Sequence, residues 1–448
     1  MRPTKQTPTG EQDLFRARLE QIINLNHELA LLAQRIDWAW LDSEIAGCFA
    51  EAGRPGVPTR FMLGLMILKE VYNLSDEEVC ARWVESPYFQ HFTGEEFFQH
   101  AFPHERSSLS HWRKRIGDKL DRLLQESLKV AHEARALKLT DLGRVTVDTT
   151  VQPKNVTHPT DAKLMLTAIE KLGEQAKACG LGLRQSYARL AKRAALMVGR
   201  YAHAKQFGRM NRELRFLRIR LGRIIRDIRR KVAGKAAMEV AFTEPLAKAE
   251  RIRTQRQNAR GPKLYSWHAP ETECIGKGKA HKPWEFGVKV SLVTTNRRAK
   301  GGQFVLHAQA LPGNPYDGHT LKDIVEATRA LTGRGIERVY ADKGYRGHGV
   351  NVGSQVFISG QKRGVHGAIK RELRRRSAIE PVIGHAKSDG HLGRCYLKGR
   401  EGDAANAILC AMGHNFRLIL AWLRLLLRLI LAALLGALVD RSAAQPAS

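Results

Sequence analysis

Paired cysteines are what this sequence most plainly lacks. Its six cysteines, Cys48, Cys80, Cys179, Cys274, Cys395 and Cys410, are scattered, and no Cys-x-x-Cys occurs. That spacing excludes a zinc ribbon and a disulfide framework and fits a reducing cytoplasm. The first twelve residues, MRPTKQTPTGEQ, hold no apolar stretch, so no secretory signal is expected there. The segment Glu273-Cys-Ile-Gly-Lys-Gly-Lys-Ala-His281 reads as a Gly/Lys loop without P-loop spacing or a closing Lys-Ser/Thr, which excludes ATP binding of that kind. Long apolar runs are also scarce. Leu418 to Val439 is long enough to span a bilayer, but Arg424 and Arg428 interrupt it, and Leu429–Val439 alone is too short. A helix packed on a core, with its arginines turned outward, is expected, and no membrane partner.

Acidic residues are few beyond residue 140. The 448-residue chain carries a net charge of +30 and has a pI near 10.2. Residues 1–140 hold 18 Lys and Arg against 20 Asp and Glu, whereas residues 161–260 hold 25 against 8, a net of +17. The basic surface therefore belongs to the middle and carboxyl parts. Such a surface calls for a polyanion, nucleic acid or an anionic membrane face. The length predicts two or three domains.

Residues 1–140 predict an all-α N-terminal domain. An apolar helix over Arg60–Tyr72 stops at Asn73, and Ser75-Asp-Glu-Glu78 opens the next with a capping box. Two helices joined this way form either a DNA-reading unit or a plain αα-hairpin, and the acidic balance favours the hairpin. The basic cluster His111-Trp-Arg-Lys-Arg115 is the better candidate for DNA, through Arg113 and Arg115. Residues 162–261 predict an inserted basic helical hairpin. There Leu214, Leu217, Leu221, Ile224, Ile225 and Ile228 share one helical face, and Arg212, Arg215, Arg223, Arg226 and Arg230 the other, with Phe216 and Ile219 off the seam. Arg215, Arg223 and Arg226 on that second face are expected to track phosphates. Residues 141–161 and 262–416 predict an α/β domain, with strands over Arg144–Thr150, Phe286–Thr295, Gln303–Ala310, the segment ending at Ala341, and Gln355–Ser359. A helix is expected over Thr320–Leu331, and residues 417–448 form the apolar helix and tail.

Three acids stand out in this α/β part. Asp148 lies in Arg144-Val-Thr-Val-Asp-Thr-Thr150 and Asp342 in Glu337-Arg-Val-Tyr-Ala-Asp-Lys-Gly-Tyr-Arg-Gly347, each near the end of a strand, where ligands gather in open α/β sheets. Glu380 lies in Ser377-Ala-Ile-Glu-Pro-Val-Ile-Gly-His-Ala-Lys387, a helix apparently opened by a Ser377–Glu380 capping box. Three carboxylates so placed can hold a pair of Mg²⁺ ions, which suits in-line displacement at phosphorus.

The segments VDTT, YADKGYRG and RRRSAIEPVIGHAKSDG resemble the DDE signature of bacterial insertion-sequence transposases of the IS-five group. That group's Arg-(3)-Glu-(6)-Lys spacing is present as Arg376, Glu380 and Lys387, while its preceding Tyr is Leu373 here. The resemblance implies a ribonuclease-H-like catalytic core, three antiparallel strands followed by parallel ones, with the basic insertion after the first strand. It implies Asp148 as a ligand bridging two Mg²⁺ (or Mn²⁺) ions, with Asp342 holding one ion and Glu380 the other. It also implies DNA contacts by Lys387, Arg376 and Arg346, a homodimer on double-stranded DNA ends and target, and a cytoplasmic, nucleoid-associated location. Three alternatives stay open at this point: a transposase-derived DNA-binding protein without catalysis, a junction-resolving nuclease of the same fold, and a basic membrane-associated protein held by Leu418–Val439.

Overall fold

A computed structural model describes residues 17–50, 56–256, 261, 263–276, 283–349 and 353–443. The twelve-residue amino terminus and most of the Gly/Lys stretch, residues 277–282, lie outside them. Two compact units divide the chain: residues 1–152 with 289–448, and residues 153–288.

The first unit begins with eight helices, α1 (Leu19–Ile22), α2 (Glu28–Arg35), α3 (Trp38–Ile45), α4 (Thr59–Val71), α5 (Asp76–Glu85), α6 (Pro87–Thr93), α7 (Ser108–Ile116) and α8 (Asp121–Glu133). The capping box at α5 forms as the sequence predicts. Ser75 Oγ accepts from the Glu78 N–H at 3.0 Å, and Glu78 Oε2 accepts from the Ser75 N–H at 2.7 Å. Phe61 through Val71 of α4 are all buried, so this helix is core and presents no face to a groove.

Strand β1 (Arg144–Pro153) leads into the second unit. Four helices follow: α9 (Asp161–Ala178), α10 (Ala188–His203), α11 (Phe207–Val232) and α12 (Ala236–Thr254). They enclose their own apolar core, including Ile169, Leu172, Ala194, Leu221, Ile225 and Phe242. The expected hairpin is thus a four-helix bundle. One amphipathic helix cannot bury its stripe against a single partner when α9 and α12 carry apolar faces as well. Glu273–Gly276, expected as loop, forms β2, antiparallel to the start of β3 (Trp284–Thr295).

The remainder of the first unit adds β4 (Val305–Leu311), α13 (Asp317–Thr332), β5 (Arg338–Ala341), β6 (Gln355–Ile358), α14 (Gly367–Arg375), α15 (Ile379–Ser388) and α16 (Gly399–Ala443). The strand order runs β3-β1-β5-β6, with β4 antiparallel on β3 and with β1, β5 and β6 mutually parallel. Val145, Thr146, Val147, Val339, Tyr340 and Ala341 are all buried, as parallel strands covered on both faces require.

Helix α16 packs on α4, α8 and β4. Asn415 carries that junction. Its Oδ1 accepts from the Val305 N–H at 2.9 Å, and its Nδ2 donates to the Val305 carbonyl at 2.8 Å and to Ser127 Oγ at 3.0 Å. A buried amide thereby serves β4 as a neighbouring strand would. Helix α16 is long and apolar enough to cross a membrane by length and composition, but its most apolar window is 61% buried within the protein. Arg424 pairs with Glu28 at 2.6 Å, and Arg428 is exposed.

Candidate active site

Strands β1 and β5 set the geometry. Their parallel register pairs Val145 with Val339, Thr146 with Tyr340 and Val147 with Ala341. Asp148 and Asp342 follow directly on the last pair. Both therefore sit at neighbouring positions, one at the end of β5 and one alongside it in β1. Asp148 is 17% exposed, and its Oδ1 accepts from the Thr149 N–H at 2.8 Å. Burial pushes its carboxyl up to about 6, a rise that Arg376 opposes and that the charges of Asp342 and Asp317 reinforce. Asp342 caps the short 3₁₀ turn Lys343–Tyr345 through the Lys343 N–H.

Glu380 comes from the other side, on α15. The expected Ser377 capping box does not form. Ser377 Oγ donates to the Arg374 carbonyl, residues 376–378 make a 3₁₀ turn, and α15 starts at Ile379. Pro381 then lies in the first turn of α15, where its missing N–H costs nothing. The tight turn lets Arg376 span two acids: its Nη1 is 3.6 Å from Asp148 and its Nη2 3.8 Å from Glu380. Arg376 is 13% exposed and Glu380 66%. Glu380 and Lys387 share α15, with Lys387 half-buried.

The donor set of carboxylate oxygens suits a hard divalent cation. Asp148 in particular is a buried acid whose nearest cationic group lies beyond hydrogen-bond length. Among the described residues, no group of three or more His, Cys, Asp or Glu side chains stands close enough to share one ion. What the strand register provides is Asp148 and Asp342 at adjacent positions on neighbouring strands. Among the described residues, Arg376 links Glu380 to Asp148.

The surroundings hold residues that sequence reading missed. Glu372 of α14 pairs with Arg144 at 2.9 Å and Arg338 at 3.0 Å and accepts from the Tyr340 hydroxyl. Asn296 joins Thr146 Oγ1 and the Glu372 carbonyl, each at 3.0 Å. Together they dock α14, and hence the Arg376 turn, onto β1 and β5. The Pro312–Gly318 loop clasps the Asp342 turn, because the Tyr316 hydroxyl donates to the Arg346 carbonyl. None of these contacts leaves a spacing pattern; Glu372 and Arg144 are 228 residues apart.

The predicted DNA contacts divide. Arg346 and Arg115 are exposed. Arg113 is not: 5% exposed, it donates to Asp76 at 2.9 and 2.5 Å. Its guanidinium is a structural ion pair, and the expectation of a phosphate contact is corrected on that ground. Burial alone would raise the Asp76 carboxyl, but the Arg113 hydrogen bonds and the Lys69 charge outweigh it and bring it to about 2. On α11, Leu217, Leu221, Ile224, Ile225 and Ile228 are buried and Leu214 half-buried. Arg212, Arg215, Arg223, Arg226 and Arg230 are exposed. Arg230 pairs with Asp227, whereas Arg215, Arg223 and Arg226 form no ion pair among the described residues.

Comparison with known proteins adds independent support. A family described as "Transposase domain (DUF772)" matches residues 17–115, and one described as "Transposase DDE domain" matches residues 251–416. The second match contains Asp342, Arg376, Glu380 and Lys387; Asp148 precedes it. A Rhizobium meliloti protein described as "Uncharacterized protein ORF8 in nfe locus" is 51% identical over 208 residues, 46% of this chain and the whole of that protein. No solved structure is significantly similar to the chain.

Proposed function

We propose that this chain, which matches two transposase domain families, is an insertion-sequence DDE transposase that cuts DNA at the terminal inverted repeats of its element and joins the freed 3′ ends to target DNA. The finer assignment to the IS-five group rests on Arg376, Glu380 and Lys387 at that group's spacing. A ribonuclease-H-like core is supported by the order β4-β3-β1-β5-β6 with its parallel second half.

The observation that carries the reading is the β1–β5 register, which sets Asp148, midway along β1, beside Asp342 at the end of β5. Asp148, Asp342 and Glu380 would hold two Mg²⁺ or Mn²⁺ ions. When bound, such ions activate the attacking water and offset charge on the phosphate and the leaving oxygen. Water attacks phosphorus, the bond to the 3′ oxygen breaks, and a 3′-OH and a 5′ phosphate result. The 3′-OH then attacks a target phosphate in the same centre; the new phosphodiester forms as the target's bond to its own 3′ oxygen breaks, leaving a target 3′-OH, with no covalent bond to the protein. Arg376 holds Asp148 and Glu380 together until DNA arrives, then turns to phosphate with Lys387 and Arg346. Arg215, Arg223 and Arg226 on α11 bind flanking phosphates without reading bases. Two copies of the chain act on the paired ends, in the bacterial cytoplasm at the nucleoid.

The test is strand cleavage of duplexes carrying the element's terminal repeats. With Mg²⁺ or Mn²⁺ the protein should release 3′-OH ends and join them to a supercoiled plasmid. Tight binding of the repeats without any cleavage would favour a transposase-derived DNA-binding protein instead.

A further inference from the structure

Beside Asp148 and Asp342 stands a fourth acid, Asp317, the first residue of α13. Its Oδ1 lies 3.1 Å from Lys289 Nζ of β3, and that ammonium also donates to the Pro315 carbonyl at 2.7 Å. Its Oδ2 faces Gly344, in the turn that Asp342 caps: a Cβ on Gly344 would lie 3.0 Å from this oxygen, a tight contact that would press on the carboxylate. The charge of Asp317 acts on Asp148.

A second observation marks the same place. Tyr345, three residues after Asp342, is 1% exposed, and its hydroxyl faces the hydroxyl of Ser291 on β3. Ser291 is fully buried as well, and among the described residues neither hydroxyl has a partner beyond the other. Burial, reinforced by the charges of Asp317, Asp148 and Asp342, pushes this phenol well up from its ordinary value. Two buried hydroxyls with only each other leave hydrogen-bonding capacity unused, which points to a polar ligand or its water shell beside them.

We infer that Asp317 is a positioning residue of the centre, which shapes the Asp342 turn through Gly344 and adds its charge to the attraction of a divalent cation, with Lys289 setting how much of that charge is felt. The inference rests on the reading of Asp148 and Asp342 as cation ligands. It differs from that reading in naming a residue outside the DDE set.

The pair Lys289–Asp317 allows a test whose sign separates charge from scaffolding. Mn²⁺ would be titrated into the DNA-free protein and the free ion followed by its electron paramagnetic resonance signal, with the melting temperature of every variant measured alongside. Asp317→Asn removes the carboxylate charge and leaves Lys289 unopposed, so Mn²⁺ should bind about tenfold more weakly. Lys289→Met leaves Asp317 unopposed, so Mn²⁺ should bind more tightly than in the unaltered protein. Asp148→Asn and Asp342→Asn serve as controls and should abolish tight binding.

Opposite shifts for Asp317→Asn and Lys289→Met support the inference. Weakening by both variants, together with lower melting temperatures, would reduce the pair to a structural strut and overturn it. Unchanged binding in both, while the controls lose Mn²⁺, would overturn it and leave the Asp148–Asp342 reading intact. Controls that still bind Mn²⁺ normally would remove the centre itself, and the inference with it. If Asp317→Asn fails to fold, the sign of the Lys289→Met shift still decides.

Discussion

Val147 stands opposite Ala341 in the parallel pair of β1 and β5. Since each is followed by an aspartate, this single register relation creates the pair Asp148 and Asp342 from segments nearly two hundred positions apart. A one-residue slip would turn one of the two carboxylates to the opposite face of the sheet.

The first expectation concerns protons at Asp148. Burial raises its carboxyl to about 6 from an ordinary 3.8. The sign follows from linkage: the neutral acid is favoured in the folded chain, so its contribution to stability is present below pH 4 and is lost as pH rises through 6. Cation affinity runs the other way and should grow over the same interval. In Arg376→Ala the charge opposing the rise is gone, so the midpoint should move to higher pH. A Mn²⁺ titration at several pH values reads both; a midpoint that stays put in Arg376→Ala would contradict the contact.

The Asp76–Arg113 pair should matter for stability and not for DNA. With Asp76 held near 2 against 3.8 when unfolded, the pair contributes about 2 kcal/mol at neutral pH, lost as pH falls from 4 towards 2. Asp76→Asn strands Arg113 and leaves Lys69 only Glu70, 3.9 Å away, and should lower stability by roughly 3–5 kcal/mol. Denaturant unfolding checks the first part. A gel shift checks the second: terminal-repeat affinity of the folded variant should match the unaltered protein.

Asn415→Leu should destabilise by roughly 2–4 kcal/mol, because the Val305 N–H and carbonyl both lose their partner in a dry site. Thermal unfolding of the variant measures it, and a loss under 1 kcal/mol would mean that β4 finds another partner.

Much of this was legible beforehand because it depends on local pattern. The run Val145–Val147, the Ser75 box and the apolar stripe of α11 follow from periodicity and capping chemistry within a few residues of each other. What escaped depends on partners far away in sequence. The cluster containing Arg113 looks basic and free until Asp76, 37 positions earlier, is brought beside it. Glu372, Lys289 and Asp317 are ordinary charged residues until the sheet assembles. Ser377 matched a capping box, yet a 3₁₀ turn displaced the helix start, and that turn is what brings Arg376 to Asp148. The insertion reads as a hairpin from the long seam of α11; α10 is just as one-sided, and the apolar faces of α9 and α12 become plain once they pack with both.

The arginine face of α11 should carry non-specific affinity. Arg215, Arg223 and Arg226 are exposed and form no ion pair among the described residues. Replacing all three with Ala should weaken binding to any duplex and reduce the dependence of log affinity on log salt by about 3, near one unit per phosphate contact. Fluorescence anisotropy at several salt concentrations measures the slope. A changed sequence preference with an unchanged slope would place these arginines elsewhere.

The most direct test of the central claim is strand cleavage by Asp342→Asn. The change keeps size and removes one ligand charge, and the Lys343 N–H still has an oxygen to donate to. The variant should fold, because taking away one of several neighbouring carboxylates relieves repulsion. It should also shift a terminal-repeat duplex on a gel as the unaltered protein does, and release no 3′-OH ends with Mg²⁺ or Mn²⁺. Cleavage by the folded variant at near the unaltered rate would contradict the assignment of Asp342, and with it the catalytic centre described here.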